Sequence, residues 1–157
     1  MEGNKKAFLD MIADSELGKE LLAVSDNGYN VIVGSTPSHP ILFDSYADHP
    51  RQSIWLEHLQ QNSTAAGRYQ ILARFYDAYK KILKLPDFSP PSQDAIAIQY
   101  ARECHALDDI DNGRIADAIV KCKSRWASFP GADYANQHMN KMNDLITAYE
   151  NAGGTFA

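Results

Sequence analysis

Residues 7–16 of the 157-residue chain read AFLDMIADSE. This stretch predicts a helix that ends at an acidic residue, around which we expect the rest of the chain to be organised. Leu9, Ile12 and Glu16 stand at i, i+3 and i+7, so they share one face of a helix from Asn4 to about Glu16. The carboxylate of Glu16 therefore stands in line with the apolar side chains of Leu9 and Ile12. Loss of hydration beside apolar groups raises the pKa of such an acid, which then holds a proton near neutral pH. The alternative is a solvated Glu at a helix end, which is the commoner arrangement.

The composition is that of a globular protein with one domain, here residues 1–157. Hydrophobic residues make up 45% and charged residues 22% of the chain. A chain of this length buries about 70% of its unfolded surface. The net charge of −5 provides no basic field for nucleic acid, and no run of Lys or Arg indicates an anionic membrane surface. We therefore expect no nucleic-acid partner and no stable membrane association.

The N-terminus and the cysteines bear on the cellular compartment. Residues 1–6 are polar and lead straight into the first helix, so neither a signal peptide nor a membrane-spanning segment is predicted. We expect the product to accumulate in the cytoplasm of the cell that makes it. Cys104 and Cys122 both fall on predicted helices, which favours buried free thiols over a disulfide. The five histidines are scattered, and no metal site is predicted.

The first half of the chain predicts a small β-hairpin. After an Asn-Gly turn, residues 29–34 are rich in β-branched side chains and read as a strand, with 41–43 as its partner. Residues 44–63 show little periodicity. They are predicted to form a loop with the exposed aromatic residues Tyr46 and Trp55.

The second half of the chain predicts helices. Their approximate ranges are 64–86, 89–105, 115–126 and 136–151. Tyr69 falls on the apolar stripe of the first of these, so packing explains it as well as function does, whereas Gln70 lies beside the stripe. The class is therefore α+β, with a mainly helical lobe, a small β-hairpin lobe and a cleft between them. Glu16 directly precedes the β lobe, which predicts that it lies near the cleft.

Several colinear strings carry a resemblance to a known family. They are GYNVIVG at 28–34, DHPR at 48–51, AGRYQ at 66–70, DFSP at 87–90, SQDA at 92–95 and WASFPG at 126–131. Through them the chain resembles, over nearly its whole length, the phage lambda type of lysozyme, the lytic transglycosylase endolysins. The resemblance implies a lysozyme-like fold.

The same resemblance implies which residues act. The catalytic acid of the family stands in a Ser-Glu dipeptide after the first helix, which is Ser15-Glu16 here. The GRYQ string would contribute to the cleft floor, and residues 46–51 and the segment from 128 to 134 onward would form its two lips. The substrate-binding residues implied are Asn30, Tyr46, Tyr69, Gln70, Ser128 and Tyr134. Two departures matter: Leu17 stands where the family member compared has Gly, and Asn30 where it has Asp.

The implied activity is cleavage of the bond between N-acetylmuramic acid and N-acetylglucosamine in peptidoglycan. Glu16 would protonate the leaving oxygen and, once ionised, take the proton of the C6 hydroxyl as a 1,6-anhydro ring closes. The partner would be a glycan strand, with no cofactor, and the protein a monomer. It would be made in the host cytoplasm and released to the periplasm through lesions made by a separate holin.

Two other functions stay open at this point. One is a hydrolytic muramidase in which Asp26, or else Asp44, acts as the second carboxylate beside Glu16. Asp26 stands in a Ser-Asp-Asn-Gly turn, where Asp is favoured for local hydrogen bonding alone. The other is a peptidoglycan-binding protein that has lost catalysis, which Leu17 could motivate.

Overall fold

Seven α-helices, one 3₁₀-helix (Glu57–Leu59) and a two-stranded antiparallel sheet form the regular structure of residues 2–131 and 140–157, the ranges that the computed structural model describes. The chain divides into two compact units. One contains Met1–Glu16 and Ala97–Ala157, and the other contains Leu17–Ile96. Helix dominance with a small sheet confirms the predicted α+β class. One domain over residues 1–157 stays a prediction.

Helix α1 (Gly3–Leu17) agrees with the predicted helix to within a residue at each end. Its middle is buried on nearly all sides. Side chains at most 2% exposed are Ala7, Phe8, Leu9, Met11, Ile12 and Ala13. Burial of this extent is typical of a core helix rather than a surface one. In the described ranges, no helix is long and apolar enough to cross a membrane.

The first unit also contains the C-terminal part of α4 (Pro90–Glu103). Three shorter helices follow it, α5 (Leu107–Asp111), α6 (Ile115–Cys122) and α7 (Met142–Asn151). Helix α5 lies between the predicted helices at 89–105 and 115–126, where the sequence predicts no helix. Helix α6 buries Ile115, Ile119 and Cys122 on one face, as their spacing predicts. It ends at Cys122 rather than at Trp126.

Helix α7 begins later than the sequence predicts. Asn140 and Lys141 are not helical, and α7 starts at Met142. The predicted residues 136–139 lie outside the described residues.

In the second unit, a short α2 (Lys19–Ala23) follows α1, and the sheet consists of β1 (Ile54–Leu56) and β2 (Gln61–Ser63). The prediction of a loop for residues 44–63 is therefore wrong in its second half. Trp55 of β1 pairs with Asn62 and is 52% exposed, as predicted for this aromatic residue.

The hairpin predicted for residues 29–43 forms without continuous strands. The predicted partners do pair, through an isolated bridge between Val31 and Leu42 and a hydrogen bond from Phe43 N to Asn30 O of 3.0 Å. Gly34 has a φ of 87°, and a second isolated bridge, between Thr36 and His39, follows it.

Helix α3 (Ala73–Leu83) is much shorter than the predicted helix at 64–86. Gly67 and Gln70 have φ values of 82° and 53°, which an α-helix cannot contain. Residues 66–71 instead form a tight turn closed by a bridge between Ala66 and Ile71. Tyr69 and Leu72 are therefore not part of a helical stripe.

Aromatic rings form much of the core of the second unit. The rings of His49 and Tyr76 lie 4.8 and 5.0 Å from that of Phe88, measured between centroids. His49 Nε2 also contacts Ile71 O at 2.8 Å, and burial lowers the pKa of its imidazole. The DHPR string thus has a packing role at His49.

Candidate functional site

Glu16 is the penultimate residue of α1 and the last residue of the N-terminal segment of the first unit. The residue as a whole keeps partial solvent exposure. Loss of hydration nevertheless raises the pKa of Glu16 to about 8, and a hydrogen bond with Ser128 opposes part of that rise. A carboxyl group of this kind is mostly protonated at neutral pH and is within reach of ionisation. It can act first as a proton donor and then as a proton acceptor.

Ser128 lies beside Glu16 and is itself buried, with an exposed fraction of 6%. Its Oγ is 2.6 Å from Oγ of Ser15, the residue that precedes the acid. The implied saccharide contact at Ser128 therefore competes with two interactions inside the protein. Tyr134, the other residue expected in this lip, lies outside the described residues.

Asn140 also belongs to the group of residues around Glu16, and the sequence does not predict it there. Its Nδ2 donates to Ser15 O at 3.1 Å and to Ser15 Oγ at 3.0 Å. Its backbone N–H donates to Ser128 O at 2.7 Å. Since Asn140 stands 125 positions after Ser15 and falls within a predicted helix, no local pattern indicates this contact.

The second unit holds Asp26, the other candidate acid, in a small polar cluster. Tyr46 Oη donates to Asp26 Oδ2 at 2.5 Å, and the backbone N–H of Asp26 donates to Asn30 Oδ1 at 2.9 Å. Partial burial and the bond to Asp26 raise the pKa of the Tyr46 hydroxyl. Asn30 and Tyr46, both expected to bind substrate, are thus brought together around Asp26. Asp44 is exposed.

Tyr69 lies in the core of the second unit rather than on a surface. It is 1% exposed, and its hydroxyl donates to Asp94 Oδ1 at 2.6 Å. Arg68 Nη1 donates to the same hydroxyl at 3.1 Å, and Tyr29 Oη donates to Asp94 at 2.9 Å. Packing therefore accounts for Tyr69, whose ring and hydroxyl are enclosed by protein, and the saccharide contact expected of it stays a prediction.

Gln93 holds the turn that contains Gly67 and Arg68. Its Oε1 accepts from the backbone N–H of Arg68 at 2.9 Å, and its Nε2 donates to Tyr29 O at 3.1 Å. A Cβ on Gly67 would lie 2.3 Å from Gln93 Oε1, so no larger residue fits there. Gln70 is half-buried, and its Nε2 donates to Gly67 O at 2.8 Å within the same turn. The AGRYQ and SQDA strings therefore depend on each other for this packing.

No cluster of three or more His, Cys, Asp or Glu side chains in residues 2–131 and 140–157 is arranged to hold a metal ion. Cys104 and Cys122 are both free thiols. Loss of hydration raises the pKa of the buried Cys122 thiol, which keeps it protonated.

Comparison with known proteins decides the family. A family model described as Endolysin matches residues 6–156. The chain belongs to the endolysin family. This endolysin is 47% identical to the endolysin of Escherichia phage lambda over 99% of its own length and 94% of that protein. It is 46% identical to the endolysin of Escherichia phage P2 over 96% of its own length and 93% of that protein.

Solved structures give the fold. Bacteriophage lambda lysozyme complexed with a chitohexasaccharide is 46% identical and matches with a TM-score of 0.90, covering 100% of this endolysin and 98% of that chain. Another structure of lysozyme from bacteriophage lambda, also 46% identical, matches with a TM-score of 0.86 over the same shares of both chains. The resemblance and the lysozyme-like fold that the sequence implies are both confirmed. The chain is an endolysin of the phage lambda and P2 type.

Proposed function

We propose that this endolysin cleaves the β-1,4 bond between N-acetylmuramic acid and N-acetylglucosamine of peptidoglycan by lytic transglycosylation, with Glu16 as its catalytic residue. The observation that carries the proposal is the state of Glu16. Its pKa of about 8 keeps a proton on the carboxyl group at neutral pH, while the bond to Ser128 stabilises the ionised form. Membership of the endolysin family and the lysozyme-like fold support cell-wall glycosidic bonds as the target.

The reaction needs one carboxyl group with two successive tasks. The protonated Glu16 gives its proton to the glycosidic oxygen as the bond to the muramic acid breaks. The resulting carboxylate takes the proton of the C6 hydroxyl, whose oxygen bonds to C1 and closes the 1,6-anhydro ring. Because the attacking hydroxyl belongs to the same sugar, no water has to be positioned.

Polar and aromatic side chains expected from the sequence would bind the glycan strand. Asn30 and Tyr46 are held in one cluster around the exposed Asp26, and Gln70 is half-buried in its turn. An amide such as that of Asn30 can bind an acetamido group without acting as a base. A solved relative of the same family is a complex with a chitohexasaccharide, which supports a glycan ligand.

Mass spectrometry of the muropeptides released from purified walls tests the reaction type. Transglycosylation yields anhydro products, which are one water lighter than the reducing-end products of hydrolysis. We expect anhydro products from the natural protein and no release by Glu16→Gln, which keeps the size of the side chain and removes its acid. Reducing-end products would instead support hydrolysis.

The matched control for the acid is Asp26→Asn. If Asp26 were a second catalytic carboxylate, this variant would lose activity as completely as Glu16→Gln does. We expect it to retain anhydro product formation, with at most a roughly tenfold loss from the altered Tyr46 cluster. If the natural protein bound walls without ever clearing them, the inactive binding protein would be supported instead.

Release from the cell is part of the proposal. The protein would be made in the host cytoplasm and reach the periplasm through lesions made by a separate holin, acting as a monomer. Expression of the endolysin alone should leave cells intact until chloroform is added, and sedimentation equilibrium should give the mass of one chain. Lysis without chloroform would contradict the need for a second protein.

A further inference from the structure

A row of hydrogen bonds in the first unit ends at Glu16. It begins at Asn140 Nδ2, which is 3.0 Å from Ser15 Oγ, and continues over 2.6 Å to Ser128 Oγ. Ser128 then bonds to Glu16. Ser15 and Ser128 are 7% and 6% exposed, so protein groups rather than bulk water decide where their hydroxyl protons point.

The orientation of the Asn140 amide follows from a neighbouring carbonyl group. The atom 3.1 Å from Ser15 O must carry hydrogen, because a carbonyl oxygen only accepts. That atom is therefore the amide nitrogen, and the same nitrogen faces Ser15 Oγ. Asn140 consequently donates to the hydroxyl of Ser15 and cannot accept from it at this position.

The ionised carboxylate of Glu16 only accepts, so Ser128 donates its one proton to it and must accept from Ser15 Oγ. With one lone pair of Ser15 Oγ engaged by Asn140, the Ser15 proton is available for Ser128 Oγ. Ser128, having accepted from Ser15, has its own proton available for Glu16. Hydrogen bonds aligned in one direction strengthen one another by polarisation. A donor aimed at a carboxylate stabilises its ionised form.

We propose that Asn140 and Ser15 are positioning residues that act through Ser128 to direct a hydroxyl proton at Glu16 and so favour its ionised form. The inference rests on the proposed function only for its meaning in catalysis: the ionised form is the base that closes the anhydro ring. Asn140 also restrains the backbone of Ser128, because its backbone N–H donates to Ser128 O at 2.7 Å. Asn140 thus contacts both serines, Ser15 through its side-chain amide and Ser128 through its backbone N–H.

The titration of Glu16 reports on this row directly. The causes of its shifted pKa are loss of hydration, which raises it, and the bond to Ser128, which lowers it. Two charged residues are sequence neighbours of the row: the half-buried Asp14 precedes Ser15, and the exposed Lys141 follows Asn140. The substitutions below leave both charged residues in place. Disrupting the row weakens the lowering contribution of Ser128 and leaves the loss of hydration, so we expect the pKa to rise.

The experiment is an NMR titration of the Glu16 side-chain carboxyl carbon in the full chain, with the signal assigned by its loss in Glu16→Gln. The test variants are Asn140→Ala, Asn140→Asp and Ser15→Ala. Asn140→Asp keeps the shape of the side chain but replaces the donor with an acceptor and adds a negative charge, which by itself also raises the pKa of Glu16. We expect the pKa of Glu16 to rise by about one unit in Asn140→Ala and Ser15→Ala, and by at least as much in Asn140→Asp.

The control is Asn143→Ala, which removes an exposed amide of α7 and should leave the titration unchanged. A Glu16 pKa that stays the same or falls in the folded test variants would overturn the inference. So would failure of all three test variants to fold, since the row would then be structural. The titration needs no turnover, so it can fail while anhydro products still form, and the reverse also holds. In wall digestion, a positioning role lowers kcat several-fold and leaves KM within about twofold.

Discussion

The hydroxyl of Tyr46 donates a 2.5 Å hydrogen bond to Oδ2 of Asp26, across twenty positions of the sequence. This bond connects a residue expected to bind substrate with the residue that a hydrolytic mechanism would use as its second acid. A carboxylate that accepts a short bond from a phenol, in a turn also tied to Asn30, has a local structural role. That role is a sufficient reason for an Asp at position 26.

The Tyr46–Asp26 bond should be measurable as a coupling. We expect a double-mutant cycle of Tyr46→Phe and Asp26→Asn, read from urea unfolding, to give about 1 kcal/mol of interaction free energy. Each single variant should cost about 1 kcal/mol or less, because Asp26 is exposed. Additive effects of the two substitutions would show that the bond contributes nothing in solution.

Gly67 should tolerate no side chain. Its φ of 82° opposes Ala, and so does Gln93 Oε1, which would lie only 2.3 Å from the added Cβ. We expect Gly67→Ala to lower the free energy of unfolding by about 2 kcal/mol or more, measured by urea denaturation. Gly3→Ala is the matched control, since nothing lies within 4 Å of its Cβ position and it begins a helix, so no destabilisation is expected there.

Glu16 should make the protein less stable as pH rises. Its folded pKa of about 8 exceeds its ordinary value of 4.5, so the folded state binds more protons than the unfolded state between these values. Glu16→Gln, which mimics the protonated form, should match the natural protein at about pH 4 and exceed it in stability by about 2 kcal/mol at about pH 8. This figure is below the full shift because the residue keeps partial contact with solvent. Thermal unfolding at both pH values checks the prediction, and equal stabilities at the higher pH would contradict it.

Asp109 should be an important carboxylate of the first unit. Its side chain is 6% exposed, and it accepts from Arg114 Nε at 2.8 Å and from Lys121 Nζ at 2.5 Å. These two bonds hold the pKa of Asp109 below its usual range, so its contribution to stability is present at neutral pH and is lost as pH falls through that lowered pKa. We expect Asp109→Ala to cost about 2 kcal/mol at neutral pH, because it leaves two cations without their buried partner.

Asp108 provides the comparison for Asp109. It contacts the same Arg114, at 3.3 Å, but its side chain is 88% exposed. Exposed pairs contribute little, so Asp108→Ala should cost about 0.5 kcal/mol or less. Equal losses in the two variants, measured by urea unfolding at neutral pH, would contradict the importance of burial at Asp109.

Much of the fold follows from local pattern. The 3.6-residue spacing of apolar side chains predicts α1 to within a residue and identifies α4 and the face that α6 buries. The β-branched run at 29–34 and the apolar run at 41–43 predict a hairpin, and Val31 does pair with Leu42. In each case, the deciding interactions join segments that are close along the chain.

The errors share a physical cause. The predicted helix at 64–86 fails at its start because a glycine and a glutamine adopt left-handed conformations, which contacts with Gln93 and the Ala66–Ile71 bridge make favourable. Tyr69 consequently lies in the core before α3, whereas its spacing predicts a place on the apolar stripe of a helix. The sheet at 54–63 lacks a hydrophobic alternation in its second strand, QNS, so pairing with β1 rather than propensity produces it.

By itself, the sequence determined that an acid ends the first helix in line with apolar residues, and its colinear strings determined the endolysin family. Only the tertiary structure decided what that acid is surrounded by. The pKa of Glu16 depends on loss of hydration and on Ser128, more than a hundred positions away, and Ser128 in turn is held by Ser15 and Asn140. Spacing specifies neighbours on one helix face, whereas hydration and hydrogen bonding depend on every segment that packs against it.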